Sequence, residues 1–258
     1  GSMDWGTLAR FYVLDTRQYR SPQVCPNPPT LQRCDLQKGR KILFGGAGGG
    51  AYVNPLASPC REALADPART VLGTEQEQWL DGALAASGAA WNVIAQNVMI
   101  NAVIEGTAES PRIFTDSWGG YPPARERFFA SLLKRRAANP VVLTGDIHCF
   151  WACDLANAAG RPVAVELVVS SIATTTYDKS AYLPLNPGAK WHDGLHNGYM
   201  RCELNRERLR TDVGAIDIRL TATAVTSASL FYHFMLAMSN VNDAPTVAAP
   251  SADPSAMQ

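Results

Sequence analysis

The chain has 258 residues, of which 47% are hydrophobic and 18% charged, so its composition is that of a globular protein and excludes a disordered one. Basic and acidic residues number 23 each, and this balance gives no electrostatic signature of nucleic-acid binding or of binding to an anionic membrane. The longest apolar run, 230–238, is interrupted by His233 and is too short to span a bilayer. Gly1-Ser2-Met3 is typical of an expression-tag remnant, so the fold prediction starts after it, and no signal peptide follows.

The first predicted element is a strand at residues 9–15, which are apolar and aromatic and lead into Asp15-Thr16-Arg17. Two roles stay open for Arg17. The first, which we favour, is a structural ion pair with Asp15. The second is that Arg17 or Arg20 lies near a phosphate site, because a planar guanidinium binds oxyanions through two hydrogen bonds.

A long loop rich in proline and glycine is predicted from 21 to 73. It contains five glycines in the six residues 45–50 but lacks the Lys-Ser/Thr ending of a phosphate-binding loop, so a flexible insertion is favoured. Three cysteines in this loop suggest a disulfide such as Cys25–Cys34 or Cys34–Cys60.

A helix and a strand are predicted next. Thr74 and Glu77 have the spacing of a capping box, in which each side chain bonds the other residue's backbone. Trp79 and Leu80 belong to the apolar face of this helix. Residues 91–95 then predict a buried strand.

Polar and aromatic residues follow that strand. Asn97 either ligates a hard cation or bonds the loop backbone, and we favour the hydrogen bond. After a loop over 99–115 comes Asp116, followed by Trp118 and Tyr121. These two aromatic residues either line a substrate cleft or pack inside the protein.

A helix over 124–138 leads into a strand at 141–144, and this alternation predicts a sheet built by right-handed crossovers. Gly145 ends the strand, since glycine adopts backbone angles that other residues avoid. Asp146 and His148 follow at the carboxyl end of the strand, where open α/β sheets bind ligands. Carboxylate and imidazole ligate zinc, iron and manganese, so the pair predicts a metal site. The alternative is an ordinary turn with a capping Asp and a surface His.

The chain changes character after residue 151. A second, largely antiparallel sheet is predicted from strands at 163–170, 199–204 and 212–220. Residues 239–258 are rich in alanine, proline and serine and are expected to be disordered.

Two histidines and two cysteines in this region are further candidates. His192 and His196 are four residues apart, but neighbouring glycines disfavour a helix, so solvated loop histidines are favoured, with His196 the better functional candidate of the two. Cys149 and Cys153 flank an apolar segment and are expected to be buried thiols.

Five blocks in this order resemble the alkaline phosphatase D (PhoD-like) family of metallophosphatases, namely 11–21, 70–80, 91–97, 116–125 and 140–155. The resemblance covers roughly residues 5 to 220 and implies an α/β fold, a metallophosphatase-like sandwich of two β-sheets flanked by helices. It assigns 4–225 to the C-terminal region of the family. The N-terminal half of the family fold, with half of the metal centre, is expected to be absent. Gly119 and Gly188 stand where the family carries an acid and a histidine.

The resemblance implies a metal-dependent phosphatase or phosphodiesterase of the alkaline phosphatase D type, acting on phosphate mono- or diesters. The cofactors expected are divalent or trivalent ions of calcium, iron, manganese or zinc. A periplasmic or secreted location and a homo-oligomer are also expected. The alternative is a shortened, catalytically inactive relative that acts as a binding or self-associating domain. The expected catalytic residues are Asp146, His148 and His196, the substrate-binding residues Arg17, Trp118 and Tyr121, and the metal ligands Asp146, His148 and Asp116.

Overall fold

The structure, a computed structural model, describes residues 1–24, 52–56, 60–221 and 224–234, with side chains over 1–24, 52–56 and 61–214. The glycine-rich run at 45–50 and the C-terminal segment 239–258 lie outside the described residues. The same holds for both suggested disulfides, because Cys25 and Cys34 and the side chain of Cys60 are outside them. No helix in the part that is described is long and apolar enough to cross a membrane.

The helices and strands have the following bounds. The α-helices are α1 (Cys60–Leu64), α2 (Thr74–Ala85) and α3 (Pro122–Arg135), and short 3-10 helices lie at Trp118–Gly120 and Ser180–Leu185. The first seven strands are β1 (Ser2–Trp5), β2 (Ala9–Val13), β3 (Tyr52–Val53), β4 (Trp91–Ala95), β5 (Glu105–Gly106), β6 (Pro111–Phe114) and β7 (Pro140–Thr144). The others are β8 (Phe150–Ala156), β9 (Pro162–Val168), β10 (Ala189–Asp193), β11 (Asn197–Leu204), β12 (Leu209–Thr221) and β13 (Ala224–Phe234).

A seven-stranded mixed sheet forms the centre of the protein, in the order β1-β2-β4-β7-β9-β8-β10. Strands β2, β4, β7 and β9 are parallel, whereas β1, β8 and β10 are each antiparallel to a neighbour. The crossovers between parallel neighbours carry α2 and α3, as the alternation of strands and helices predicted. A second sheet, β11-β12-β13, and a third, β3-β6-β5, are antiparallel.

The two faces of the central sheet bury different partners. Ile94 and Val142 belong to an apolar cluster with Leu80 of α2 and Phe129 of α3. The neighbouring side chains on the opposite face pack with residues of β11 and β12, among them Leu209. The described part of the chain is therefore layered as helices, central sheet and small sheet, which confirms the mixed α/β class.

Several strand assignments differ from the sequence prediction. The strand predicted at 163–170 is β9, and it lies beside β7 in the central sheet rather than in the second one. Strands β8 and β10 are not predicted from the sequence, and β1 begins at Ser2, inside the segment interpreted as a tag remnant. Strands β1, β8 and β10 join the sheet by antiparallel pairing, with β1 and β10 at its two edges, and such pairing depends on distant residues and leaves little trace in local sequence.

The predicted capping box at the start of α2 is wrong. Gly73 occupies the N-cap position without a side-chain hydrogen bond. Instead, Thr70 accepts a hydrogen bond from the Gly73 backbone N–H at 2.9 Å and donates its hydroxyl to Glu77 at 2.6 Å. Glu77 also accepts two hydrogen bonds from Arg127 of α3, so this carboxylate joins the two helices. Trp79 is 36% exposed and contributes little to the buried face.

Glu77 makes the contact between α2 and α3 sensitive to acid. Burial alone would raise the pKa of this carboxyl, but the hydrogen bonds from Arg127 and Thr70 outweigh burial and hold the pKa below its ordinary value. A carboxyl whose pKa is lowered by folding stabilises the protein above its unfolded pKa. This contribution disappears as the pH falls through the folded pKa.

Glu77→Gln is therefore expected to lower the free energy of unfolding by about 1 kcal/mol near neutral pH, and to differ less from wild type below about pH 4. Urea titrations at neutral pH and in acid measure both effects. Glu75→Gln, at an exposed position of the same helix, is the matched control and should follow the wild type at both pH values. A Glu77→Gln difference that is the same at both would contradict this role of the ionised carboxylate.

Candidate active site

The candidate residues gather at one edge of the central sheet. Val13, Ala95 and Leu143 are aligned across β2, β4 and β7, so the carboxyl ends of these parallel strands meet at the same level. Strand β10 also ends at this edge, because Asp193 pairs with Phe150 at the start of β8. The segments that follow these strand ends carry Arg17, Asn97, Asp146, His148 and His196. Ligand sites of open α/β sheets lie at such an edge.

The turn between β7 and β8 carries Asp146 and His148 in an unusual backbone conformation. The angle φ is +74° at Asp146 and +58° at His148, in the left-handed region that side chains other than glycine seldom adopt. Gly145, to which the strand end was assigned, is not among the described residues with positive φ. Backbone strain at residues other than glycine is concentrated at functional sites, where it aims side chains that a relaxed turn would place elsewhere.

Arg17 joins two carboxylates that are far apart in the sequence. One guanidinium nitrogen, Nη1, lies 2.9 Å from both oxygens of Asp116, and Nη2 lies 2.6 Å from Oδ1 of Asp146. Burial opposes the charge of Arg17, but the two carboxylates outweigh burial and raise the pKa of the guanidinium above its ordinary value. The favoured ion pair with Asp15 does not form, because Asp15 accepts the backbone N–H of Arg17 instead.

Asp116 is buried and extensively paired. Besides Arg17, it contacts the guanidinium of Arg20 and accepts a hydrogen bond from Gln23 at 2.7 Å. Its side chain is 8% exposed, whereas that of Asp146 is 35% exposed. The charge of Asp116 is thus balanced by two arginines, so a metal ion would have to displace at least one of them before Asp116 could act as a ligand.

His148 is the most suitable ligand that this edge offers. Its Nδ1 atom is buried and has no hydrogen-bond partner within the described part of the chain. A buried imidazole nitrogen without a partner is costly unless it binds something, and a metal ion is a common partner of imidazole. Asp146 is two residues away and partly exposed, so both chemistry and accessibility suit a metal ion.

A complete metal centre is not present among the residues that are described. There, no group of three or more His, Cys, Asp or Glu side chains is arranged to hold an ion. Asp146 and His148 therefore fit part of a metal site, and the further ligands would have to come from elsewhere. Asn97 does not supply one in this arrangement, because its amide oxygen accepts hydrogen bonds from the backbone N–H and hydroxyl of Thr16. This is the hydrogen-bonding role favoured from the sequence.

The two histidines near β10 differ from each other. His192 lies in β10, not in a solvated loop, and its side chain is fully buried between the Phe150 carbonyl and the Lys179 backbone N–H. Burial lowers the pKa of His192, which suits a neutral structural imidazole. His196 follows the strand and is 35% exposed, with Nδ1 located 2.7 Å from Asp193.

Trp118 and Tyr121 lie in the interior, each only 1% exposed. The indole N–H of Trp118 donates to Gln96, and the hydroxyl of Tyr121 donates to the backbone carbonyl of Ser21. Trp118 also lines a cavity of about 350 Å³ between α2 and α3, on the helix side of the sheet. These positions correspond to the packing role that the sequence left open.

Gly119, where the family carries an acid, is also buried, and a side chain there would meet Ser117 and Ala102.

Sequence reasoning missed Glu166, a fully buried carboxylate in β9. It accepts hydrogen bonds from the backbone N–H groups of Ile100 and Asn101 at 2.7 and 2.8 Å, and from the hydroxyl of Thr144 at 2.8 Å. Burial raises its pKa, although these three donors oppose the shift. Glu166 thereby fastens the loop after β4 to the end of β7, two residues before Asp146. An acid inside the apolar run 162–168 was the available signal.

The thiols of Cys149 and Cys153 are free and buried, as predicted. Burial raises the pKa of Cys149 to about 11, so this thiol stays protonated at neutral pH. A protonated thiol is a poor metal ligand and a poor nucleophile. Cys149 therefore adds no reactive group to the turn that carries His148.

Comparison with known proteins identifies relatives of this chain. The family model described as PhoD-like phosphatase matches residues 1–213. Alkaline phosphatase D of Bacillus subtilis (strain 168) is 34% identical over 218 residues, which cover 81% of this chain and 32% of that protein. A solved structure titled "Structure of PhoD" is 30% identical with a TM-score of 0.69, over 90% of this chain and 41% of the other. The chain thus spans about a third of the length of the curated relative it matches.

Proposed function

The chain belongs to the PhoD-like phosphatase family, and we propose that it takes part in phosphoester hydrolysis at the sheet edge that carries Asp146 and His148. The observation that carries the proposal is the turn between β7 and β8. It holds an acid and an imidazole in left-handed backbone, and the imidazole has a buried nitrogen without a described partner. Hydrolysis of p-nitrophenyl phosphate and of its bis ester by variants at these two positions tests the proposal.

Asp146 and His148 are the residues that would hold a metal ion, with Asp116 as a further ligand only after its arginines move. The ion, whether calcium, iron, manganese or zinc, would supply positive charge to a phosphoryl oxygen and acidify a water molecule. Both terminal nitrogens of Arg17 are bonded to Asp116 and Asp146, so Arg17 would have to leave Asp146 before that carboxylate could hold an ion. The guanidinium released in this way could then bind an incoming phosphate through two hydrogen bonds. We thus propose both that the hydrolysis depends on a metal ion and that the substrate is a phosphate mono- or diester.

His196 is proposed to carry protons. When neutral, its imidazole donates Nδ1–H to Asp193, so that Nε2 becomes the nitrogen that accepts a proton. An imidazole held in one tautomer by a carboxylate is suited to general acid–base chemistry. Trp118 and Tyr121 are buried and are proposed to support the site by packing beneath Asp116 and the loop after β4. The two-sheet sandwich and the periplasmic or secreted location remain predictions of the family resemblance.

A self-associating domain is the second candidate function, and the edge of the central sheet favours it. Strand β1 is exposed along its whole length, with Met3 58% and Trp5 66% exposed. Exposed edge strands with apolar side chains pair readily with another chain. A homo-oligomer formed through β1 is therefore part of the proposal.

Light scattering at micromolar concentration is expected to show a dimer or a larger assembly. Replacing both Met3 and Trp5 by lysine should shift the protein towards the monomer, because charged edge strands resist pairing. Leu56→Lys, at another exposed apolar residue, is the control and should leave the assembly unchanged. A wild-type protein that is monomeric across this range would contradict self-association through the sheet edge.

A further inference from the structure

The orientation of the His148 ring needs an explanation. Histidines that ligate metals usually donate their second ring N–H to a carboxylate, carbonyl or water, and this contact fixes the ring. Neither ring nitrogen of His148 has a hydrogen-bond partner within the described residues, so no such contact fixes this ring, whichever nitrogen would bind the ion. Instead, its ring stacks on Tyr177, with centroids 5.9 Å apart and planes 21° from parallel. Within the described residues, stacking on Tyr177 is therefore the contact that restrains this imidazole.

The backbone that carries Tyr177 is held in place from one side by Gly194. A Cβ atom at Gly194 would lie 2.2 Å from the carbonyl oxygen of Tyr177 and 2.5 Å from the Cα of Asp178. Contacts this short with backbone atoms are impossible, so only glycine lets the two segments approach so closely. Any larger residue would push Tyr177 away from its present position.

Lys179 anchors the same segment from the other side. Its backbone N–H donates to Nε2 of His192 at 2.9 Å. Its ammonium group bonds the hydroxyl of Tyr52 and the carboxylate of Glu105. The backbone of Tyr177 is thus packed against Gly194 and held by the bonds of Lys179, two residues later, although the Tyr177 side chain itself is 51% exposed. A half-exposed ring on an anchored backbone contributes little to the core and acts mainly on its neighbour.

We propose that Tyr177 is a positioning residue, which orients the His148 imidazole by stacking where other proteins use a hydrogen bond, and that Gly194 makes this position possible. The inference rests on the proposed function for the role of His148, but the stacking itself does not. The ring and not the hydroxyl does the positioning, so phenylalanine should replace tyrosine. Alanine at 177, or any side chain at 194, should release the imidazole.

The first measurement needs no metal. The chain has four histidines, so the imidazole signals of protein labelled with ¹³C-histidine can be resolved, and His148→Gln identifies the His148 signal by its loss. The expected result is a nuclear Overhauser contact between the His148 and Tyr177 rings in wild type and a corresponding contact in Tyr177→Phe. The ring contact should be lost in Gly194→Ala, and the His148 ring should become more mobile both in Gly194→Ala and in Tyr177→Ala, which has no ring at this position. Gly82→Ala, where a Cβ meets open space, is the control for the glycine variant.

The second measurement follows the His148 signal during titration with zinc. Loss of a residue that orients a ligand costs about 10–100-fold in metal affinity, so Tyr177→Ala and Gly194→Ala are expected to bind zinc at least about tenfold more weakly. Tyr177→Phe should keep wild-type affinity for zinc, because the phenylalanine ring can still stack on His148. Tyr199→Ala, at another exposed tyrosine, is the control, and thermal melts verify that each variant is folded.

The outcomes separate the inference from the proposed function. A His148 ring that is no more mobile in Tyr177→Ala than in wild type would overturn the inference, and so would unchanged zinc affinity in that variant. If the wild-type protein binds no zinc at His148, the proposed metal site fails, and the metal-free ring contacts still decide whether Tyr177 orients His148.

Discussion

Val142→Asp is expected to destabilise the protein strongly and to lower its urea unfolding midpoint well below that of the wild type. Val142 is fully buried in β7 and faces the helices, in the same cluster as Leu80 and Phe129. The substitution removes the burial of an aliphatic side chain and leaves a polar group without partners, which together cost about 3–6 kcal/mol. Since a domain is stabilised by only about 5–15 kcal/mol, a large fraction of the stability would be lost.

The matched control is Val13→Asp, the same substitution in β2, another parallel strand of the same sheet. Val13 is 61% exposed, so an aspartate there stays in water and should cost about 1 kcal/mol or less. Urea unfolding followed by circular dichroism compares the two variants. Equal unfolding midpoints would show that β7 is not at the centre of the core and would contradict the fold described above.

Strand β7 could be predicted from sequence because its signal is local. Four consecutive β-branched or apolar residues give a short buried strand, and the predicted bounds are within one residue of Pro140–Thr144. β8 gave no such signal. The chain reverses at Asp146 and His148 without a glycine at either position of positive φ, so no turn motif announced the strand that follows. His192 was misplaced for the same reason, because its burial depends on pairing with Trp151 of β8.

The candidate site was only partly predictable. The position of Asp146 and His148 after a buried strand was enough to place them at the ligand-binding edge of the sheet. The contacts of Arg17 were not predictable, since its partners Asp116 and Asp146 are 99 and 129 residues away in the sequence. Which carboxylate an arginine binds depends on the meeting of three strand ends, and sequence spacing carries no information about such a meeting.

Asp146→Asn and His148→Ala are expected to reduce phosphoester hydrolysis more than any other single substitutions. Each removes one of the two groups at this edge that suit a metal ion, and loss of such a group should lower kcat by about 100-fold or more. Both changes lie in a turn, and Asp146 is partly exposed, so the fold should be retained. Asp66→Asn, at an exposed carboxylate before α2, is the control and should keep the wild-type rate.

The most direct test of the proposed active site is the rate of hydrolysis of p-nitrophenyl phosphate and its bis ester at alkaline pH. Calcium, iron, manganese and zinc are added in turn to wild type, Asp146→Asn and His148→Ala. The account predicts metal-dependent hydrolysis by the wild type that is lost in both variants, while their urea unfolding curves match the wild type. Hydrolysis that persists undiminished in both variants would contradict it and place the chemistry away from the turn between β7 and β8. Absence of hydrolysis with every metal would contradict it as well and would favour the self-associating domain.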